Sequence, residues 1–251
     1  MGILNTELTV VTCSKKDLAG LRRTLNSLLN FQSDFPKLIL VLSDYSKTEI
    51  EEIAKEFRLL EPEIHQIPPA GIYNAQNFGL QKVKSNLMLI LNGGDSILER
   101  SSLQKLVQEI GENNWGFGSC NLVNPSTGES RIYNNYSYSR LLHRLSLKFV
   151  PHPSVLVNAA KARNLGGFDL NYKIAADQKM LLQFARISKP ITIKETISSF
   201  ELGGASSRKS AEVVRDFQNI SNEVFGYFFH SRKLDKIIWR MVLIVRKNLR
   251  P

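Results

Sequence analysis

The chain has 251 residues, 43% hydrophobic and 22% charged, with a formal net charge of +10. That length can bury a full core and suits one large α/β domain. No apolar stretch approaches the ~20 residues of a membrane-spanning helix, and Met1 to Asn5 lacks the start of a secretory signal. The two cysteines, Cys13 and Cys120, form neither a disulfide framework nor a metal-binding pattern, which points to a reducing cytoplasm.

Leu8 to Thr12 is expected as a strand, and Lys16 to Asn30 as a helix with Leu18, Leu21, Leu25, Leu28 and Leu29 on one face. Leu38 to Leu42 is a second strand. The next helix carries Ile50, Ile53, Ala54 and Phe57, with Thr48 as its cap and Glu51 as capping-box partner. A short strand near Ile64 to Ile67 stops at Pro68-Pro69, and Gly71 to Val83 is a third helix. Leu87 to Leu91 then reads as an interior strand that ends abruptly at Asn92-Gly93-Gly94-Asp95. Two glycines allow a tight turn and the close approach of a ligand. A carboxylate at such a strand end lies where open α/β sheets bind ligands, although Asp95 as a simple helix cap fits the same pattern. Strands separated by helices predict a mostly parallel, doubly wound sheet flanked by helices.

The second half is less regular. Helix Ser101 to Ile110 precedes strand-like residues Trp115 to Val123, and residues 124–140 read as a long loop. Val155 to Val157 is a short strand, Ala176 to Arg186 a helix, and Ile191 to Phe200 extended; after Gly203-Gly204 the chain turns helical. From Ser231 to Pro251 there are seven cations and one anion, Asp235. No nucleic-acid-binding motif accompanies this charge, so lipid or phosphate is the expected partner. Leu234, Ile237, Ile238, Met241, Val242 and Val245 form one apolar stripe at helical spacing, with Lys233, Lys236, Arg240 and Lys247 opposite and Trp239 at the boundary. Such a helix suits an anionic membrane surface; packing on the protein's own core or on a second copy in a homodimer are the alternatives.

The ordered segments "VVTCSKKDLAGLRRTLNSLL", "SDYSKTEIEE", "GIYNAQNFGL", "LNGGD", "GGFDLNYKIAADQKMLLQFA" and "GGASS" resemble family 2 glycosyltransferases of the GT-A fold. The resemblance extends over residues 7–207, and is nearest to enzymes of bacterial exopolysaccharide or O-antigen synthesis. It implies a Rossmann-like GT-A domain over residues 1–207, followed by a basic helical appendage over 208–251. It also implies a nucleotide-sugar donor, a divalent metal (Mg²⁺ or Mn²⁺) and inverting transfer to an acceptor hydroxyl, on a lipid-linked saccharide at the inner face of the cell membrane. Asp95 matches the last acid of the family's metal motif, with Asn92, Gly93 and Gly94 in its other positions. Diphosphate departure develops charge that a hard ion neutralises, and one protein carboxylate suffices when the donor's phosphates complete the shell.

Asp177 matches the family's catalytic base, a group needed on the acceptor side to take the hydroxyl proton. An ordinary N-cap is the alternative. Gly71, Tyr73, Asn74 and Asn77 match the donor-binding helix, with Asn74 in place of an acid; a helix start with Ile72 and Ala75 packed inward is the plain alternative. Thr12, Ser14, Ser43 and Asp44 lie where relatives contact the nucleoside. Ser43 replaces the usual acid there, and Asp44 is one place on. His152 falls at the acceptor pocket or is a structural histidine between two prolines. Ser206 and Arg208 are candidates to close over the diphosphate, with a solvated basic loop as the plain alternative. The rival readings are an inactive scaffold, kept open by the missing acids at Ser43 and Asn74, and a nucleotidyltransferase.

Overall fold

The computed structural model describes residues 7–31, 35–133, 137–202 and 210–248. Strands β1 (Leu8–Lys15), β2 (Lys37–Ser43), β3 (Glu63–Gln66) and β4 (Leu87–Ile90) alternate with helices α1 (Leu18–Leu29), α2 (Lys47–Glu56) and α3 (Ile72–Lys82). They pair in parallel in the order β3-β2-β1-β4. The expected GT-A-type α/β architecture is therefore present, and this N-terminal half is its all-parallel stretch. Beyond β4 the sheet is mixed. β5 (Ser96–Ile97), α4 (Arg100–Ile110), β6 (Trp115–Val123) and β7 (Ser130–Tyr133) are followed by α5 (Arg140–Arg144), β8 (Val155–Asn158) and α6 (Ala159–Asn164). Then come α7 (Ala176–Ile187) and β9 (Ile191–Glu201), with β8 antiparallel to β4 and to β6, and β9 parallel to β6.

Two apolar clusters fill the faces of this sheet, one under α1, α2 and α4 and the other under α3 and α7. Helices α8 (Ser210–Phe225) and α9 (Arg232–Asn248) extend the second cluster through Val213, Phe217, Trp239 and Val242. The helices beyond the expected boundary at 207/208 thus share one core with the sheet, while the boundary itself lies outside the described residues.

Several local expectations change. The α2 cap is Ser46, which accepts from the Glu49 amide while the Glu49 carboxylate accepts from the Ser46 amide. Thr48 and Glu51 offer the same spacing two residues later, but β2 ends at Ser43 and the helix begins at Lys47. Residues 124–140 are not wholly loop: the chain turns back at Gly128 (φ +73°) and β7 pairs with β6. Trp239 is a core residue, 2% exposed, and does not sit at a boundary.

Candidate active site

The turn after β4 is built from its backbone. Gly94 has φ +106°, a conformation that favours glycine, and a Cβ on Gly93 would lie 2.9 Å from Ser14 Oγ. The Gly93 amide donates to the Cys13 carbonyl, the Asp95 amide to the Asn92 carbonyl and the Gly94 amide to the Gly20 carbonyl. Thr24 on α1 staples the turn: its hydroxyl lies 2.7 Å from the Asp95 carbonyl and 3.1 Å from that of Asn92, and it accepts from the Gly94 amide. Thr24 was not legible as a site residue, since in sequence it is one hydroxyl within an apolar helix pattern.

Asp95 emerges from this turn 6% exposed, with the Asn92 amide donating to Oδ2 at 3.2 Å. Burial pushes its carboxyl up to about 8. Gln76 on α3 donates to Asn92 Oδ1 at 3.1 Å, while its own Oε1 is buried without a partner. A carboxylate that ionises only against its burial, beside an orphaned amide oxygen, fits a cation. Among the described residues no cluster of three or more acidic, histidine or cysteine side chains is arranged as a metal cage. The fit is therefore to an ion held jointly by Asp95 and the phosphates of a ligand. Gln76 was missed in sequence because it reads as one more polar helix position.

Asp177 reaches the same space from the first turn of α7. Its N-cap reading is corrected: Ala175 occupies the cap, and no side chain bonds there. Asp177 instead meets the Tyr73 hydroxyl at Oδ1 (3.1 Å) and the Gln178 amide at Oδ2 (2.9 Å). Asp95 and Asp177 line one cavity of about 530 Å³, together with Tyr73, Gln76, Asn92, His152 and Gln178. Phe149, Phe200, Val213 and Phe217 add apolar lining, and Lys173 and Arg246 bring cations. Arg246, from α9, bonds Ser146 Oγ at 3.0 Å. His152 packs edge-on against Phe168, and burial lowers its pKa.

Other candidates sit elsewhere. Thr12, Ser14, Ser43 and Asp44 gather at the C-terminal ends of β1 and β2, adjacent to β4 but outside this cavity. Ser14 Oγ shares a 2.6 Å hydrogen bond with Tyr45, Thr12 Oγ1 is buried without a partner, and exposed Asp44 pairs with Lys15 at 3.4 Å. Gly71 (φ +94°) begins α3 in the open, and half-buried Asn74 does not line the cavity. Asn77 holds the Gly167-Phe168 turn, donating to the Phe168 carbonyl and accepting from its amide. Ser206 and Arg208 lie outside the described residues.

Strand-end and helix-start carboxylates thus face one cavity on this sheet. The description Glycosyl transferase family 2 matches residues 9–163, and the chain belongs to that family. It is 25% identical over 236 residues to an uncharacterized glycosyltransferase of Mycobacterium tuberculosis, covering 90% of this chain and 87% of that protein. Among solved structures it is similar to S. aureus TarS 1-349 in complex with UDP, at a TM-score of 0.70 and 13% identity, over 95% of this chain and 71% of that one. It is also similar to the mannosyltransferase PcManGT from Pyrobaculum calidifontis in complex with GDP-Man and Mn²⁺, at a TM-score of 0.60 and 14% identity, over 98% and 76% of the two chains. At these identities the solved structures establish the fold.

Proposed function

We propose that the protein is an inverting, metal-dependent hexosyltransferase of polysaccharide assembly, moving a sugar from a nucleotide-diphospho-sugar to a hydroxyl of a lipid-linked saccharide. The observation that carries this reading is the single cavity shared by Asp95 and Asp177. Asp95 holds the metal-diphosphate end of the donor, with Asn92 and Gln76 beside it. A bound Mg²⁺ or Mn²⁺ supplies Lewis-acid stabilisation of the departing diphosphate. Asp177 accepts the acceptor's hydroxyl proton as the new glycosidic bond forms on the face opposite the leaving group. His152 and the apolar walls pack against the acceptor. Purified protein incubated with UDP-GlcNAc or GDP-mannose and Mn²⁺ tests this. Nucleoside diphosphate release that needs both carboxylates supports it; donor binding without turnover favours the scaffold reading.

The acceptor's lipid places the enzyme at the inner membrane face, and α9 offers the surface. Among the described residues no helix is long and apolar enough to cross a membrane. Asp235, Trp239 and Val242 turn inward, whereas Leu234, Ile237, Met241, Ile244 and Val245 face out, flanked by Lys233, Lys236 and Arg240. The helix's single acid is thus buried, leaving an apolar stripe edged only by cations, which complements anionic lipid. Ile237→Glu with Ile244→Glu spares the core. Flotation with anionic vesicles that is lost in this variant and at high salt supports docking. Absence of flotation at low salt ends it, and dimerisation abolished by the same variant assigns the stripe to a second copy.

A further inference from the structure

Gln178 follows the proposed base directly and is 8% exposed. All four hydrogen-bonding positions of its amide are used. Nε2 donates to Asp177 Oδ2 (2.9 Å) and to the Val150 carbonyl (3.0 Å). Oε1 accepts from the Val150 amide (3.3 Å) and lies 3.0 Å from His143 Nε2. Because a backbone N–H can only donate, the Val150 contact fixes which end of the side-chain amide is oxygen. His143 must then donate through Nε2, and its Nδ1 accepts from the Tyr138 hydroxyl at 3.0 Å. His143 is fully buried, and burial holds its pKa down to about 4, so the ring stays neutral with one N–H. Tyr138 is wedged edge-on against Trp115 and Phe117.

The result is a directional chain of donors, Tyr138 to His143 to Gln178 to Asp177, running from the core to the cavity. At the other carboxylate oxygen, the Tyr73 hydroxyl shares its proton with the Ile174 carbonyl, so Gln178 is the better-defined donor. We infer that Gln178 is a positioning residue for transfer: anchored by His143 and Val150, it fixes the direction of the Asp177 carboxylate, leaving the remaining lone pairs to meet the acceptor hydroxyl. The inference rests on Asp177 being the base. Its covalent steps are those of the proposed reaction, and Gln178 itself transfers no proton.

A purely structural Gln178 would tie Val150 to α7, and its loss would lower stability without separating turnover from donor binding. The test is therefore a kcat-against-KM split on the full chain. Gln178→Met keeps side-chain length and removes every hydrogen bond. It is expected to slow nucleoside diphosphate release from UDP-GlcNAc or GDP-mannose about tenfold, the scale of one charge-assisted hydrogen bond, with donor affinity in Mn²⁺ retained. In an Asp177→Asn background the same substitution should cost nothing further, because a positioning residue acts only through that carboxylate. Should Gln178→Met not fold, Tyr138→Phe keeps the ring and breaks only the far end of the chain, with a smaller slowing of the same sign. Unchanged turnover in the folded variant, or an equal further loss in the Asp177→Asn background, overturns the inference. If Asp177→Asn itself retains full turnover, the base assignment fails instead.

Discussion

Asp95 and Asp177 meet in one cavity, yet their surroundings are made of different material. Around Asp95 the hydrogen bonds are mostly those of the main chain: a two-glycine turn braced by Thr24 and by carbonyls of β1 and α1. Around Asp177 they belong to side chains drawn from α3, α5 and α7. A main-chain frame holds the buried carboxyl in place without supplying a countercharge, which suits a site completed by an incoming cation. A side-chain frame sets direction, which suits proton transfer.

Substitutions separate the two ends. The largest effect is expected from Asp95→Ala: nucleotide-sugar binding in Mn²⁺, read by thermal shift, should vanish while the fold persists. Activity undiminished by EDTA would break the assignment. Asp177→Asn should slow transfer by roughly 10²–10⁴-fold, the usual scale for general-base catalysis, with donor affinity kept. Equal loss of donor affinity would erase the distinction between the two ends.

A pH experiment isolates the side-chain frame. Burial keeps the folded His143 pKa at about 4 against the ordinary 6.5. Its contribution is therefore fully present above pH 6.5 and is lost as pH falls toward 4, worth up to about 3 kcal/mol. His152 has the same sign, and the raised Asp95 the opposite one. Comparing denaturant unfolding of wild type and His143→Phe from pH 7 to 4 removes both, and the variant should show the shallower decline. Thr24→Val, which removes the staple, should cost about 1–3 kcal/mol and weaken donor binding without moving the acid limb of the rate profile. The smallest effect belongs to Asp44→Ala. Its exposed pair with Lys15 contributes under about 1 kcal/mol, so a rise in donor KM would point to nucleoside contact.

The strand–helix alternation through Leu91 was legible because each apolar run is closed by turn residues or a cap. Asp95 drew notice because it ends such a run, whereas Asp177 opens a helix and was read from the family resemblance. Gln178 and Gln76 were not, since a polar residue within a helix has the same spacing whether it faces solvent or a buried network. Helix α9 shows another limit. Periodicity placed Leu234, Ile237, Met241 and Val242 on one stripe, but the helix meets the body along Asp235, Trp239 and Val242 and turns the others outward. The sequence carries two apolar sectors that a single-sided amphipathic pattern merges. Asn77 was read from its place in a motif, and its amide is occupied by a turn ninety-one residues away.

Arg246 gives the cavity a temporal property. Among the elements that line it, α9 is the last to leave the ribosome, and Arg246 meets Ser146 across one hundred residues of chain. The Asp95 turn leaves the ribosome well before α9, and the pocket has no finished wall until that helix arrives. Completion of that wall is thus timed to the end of this stretch of translation, and a nascent chain that already presents Asp95 does not yet have the whole pocket.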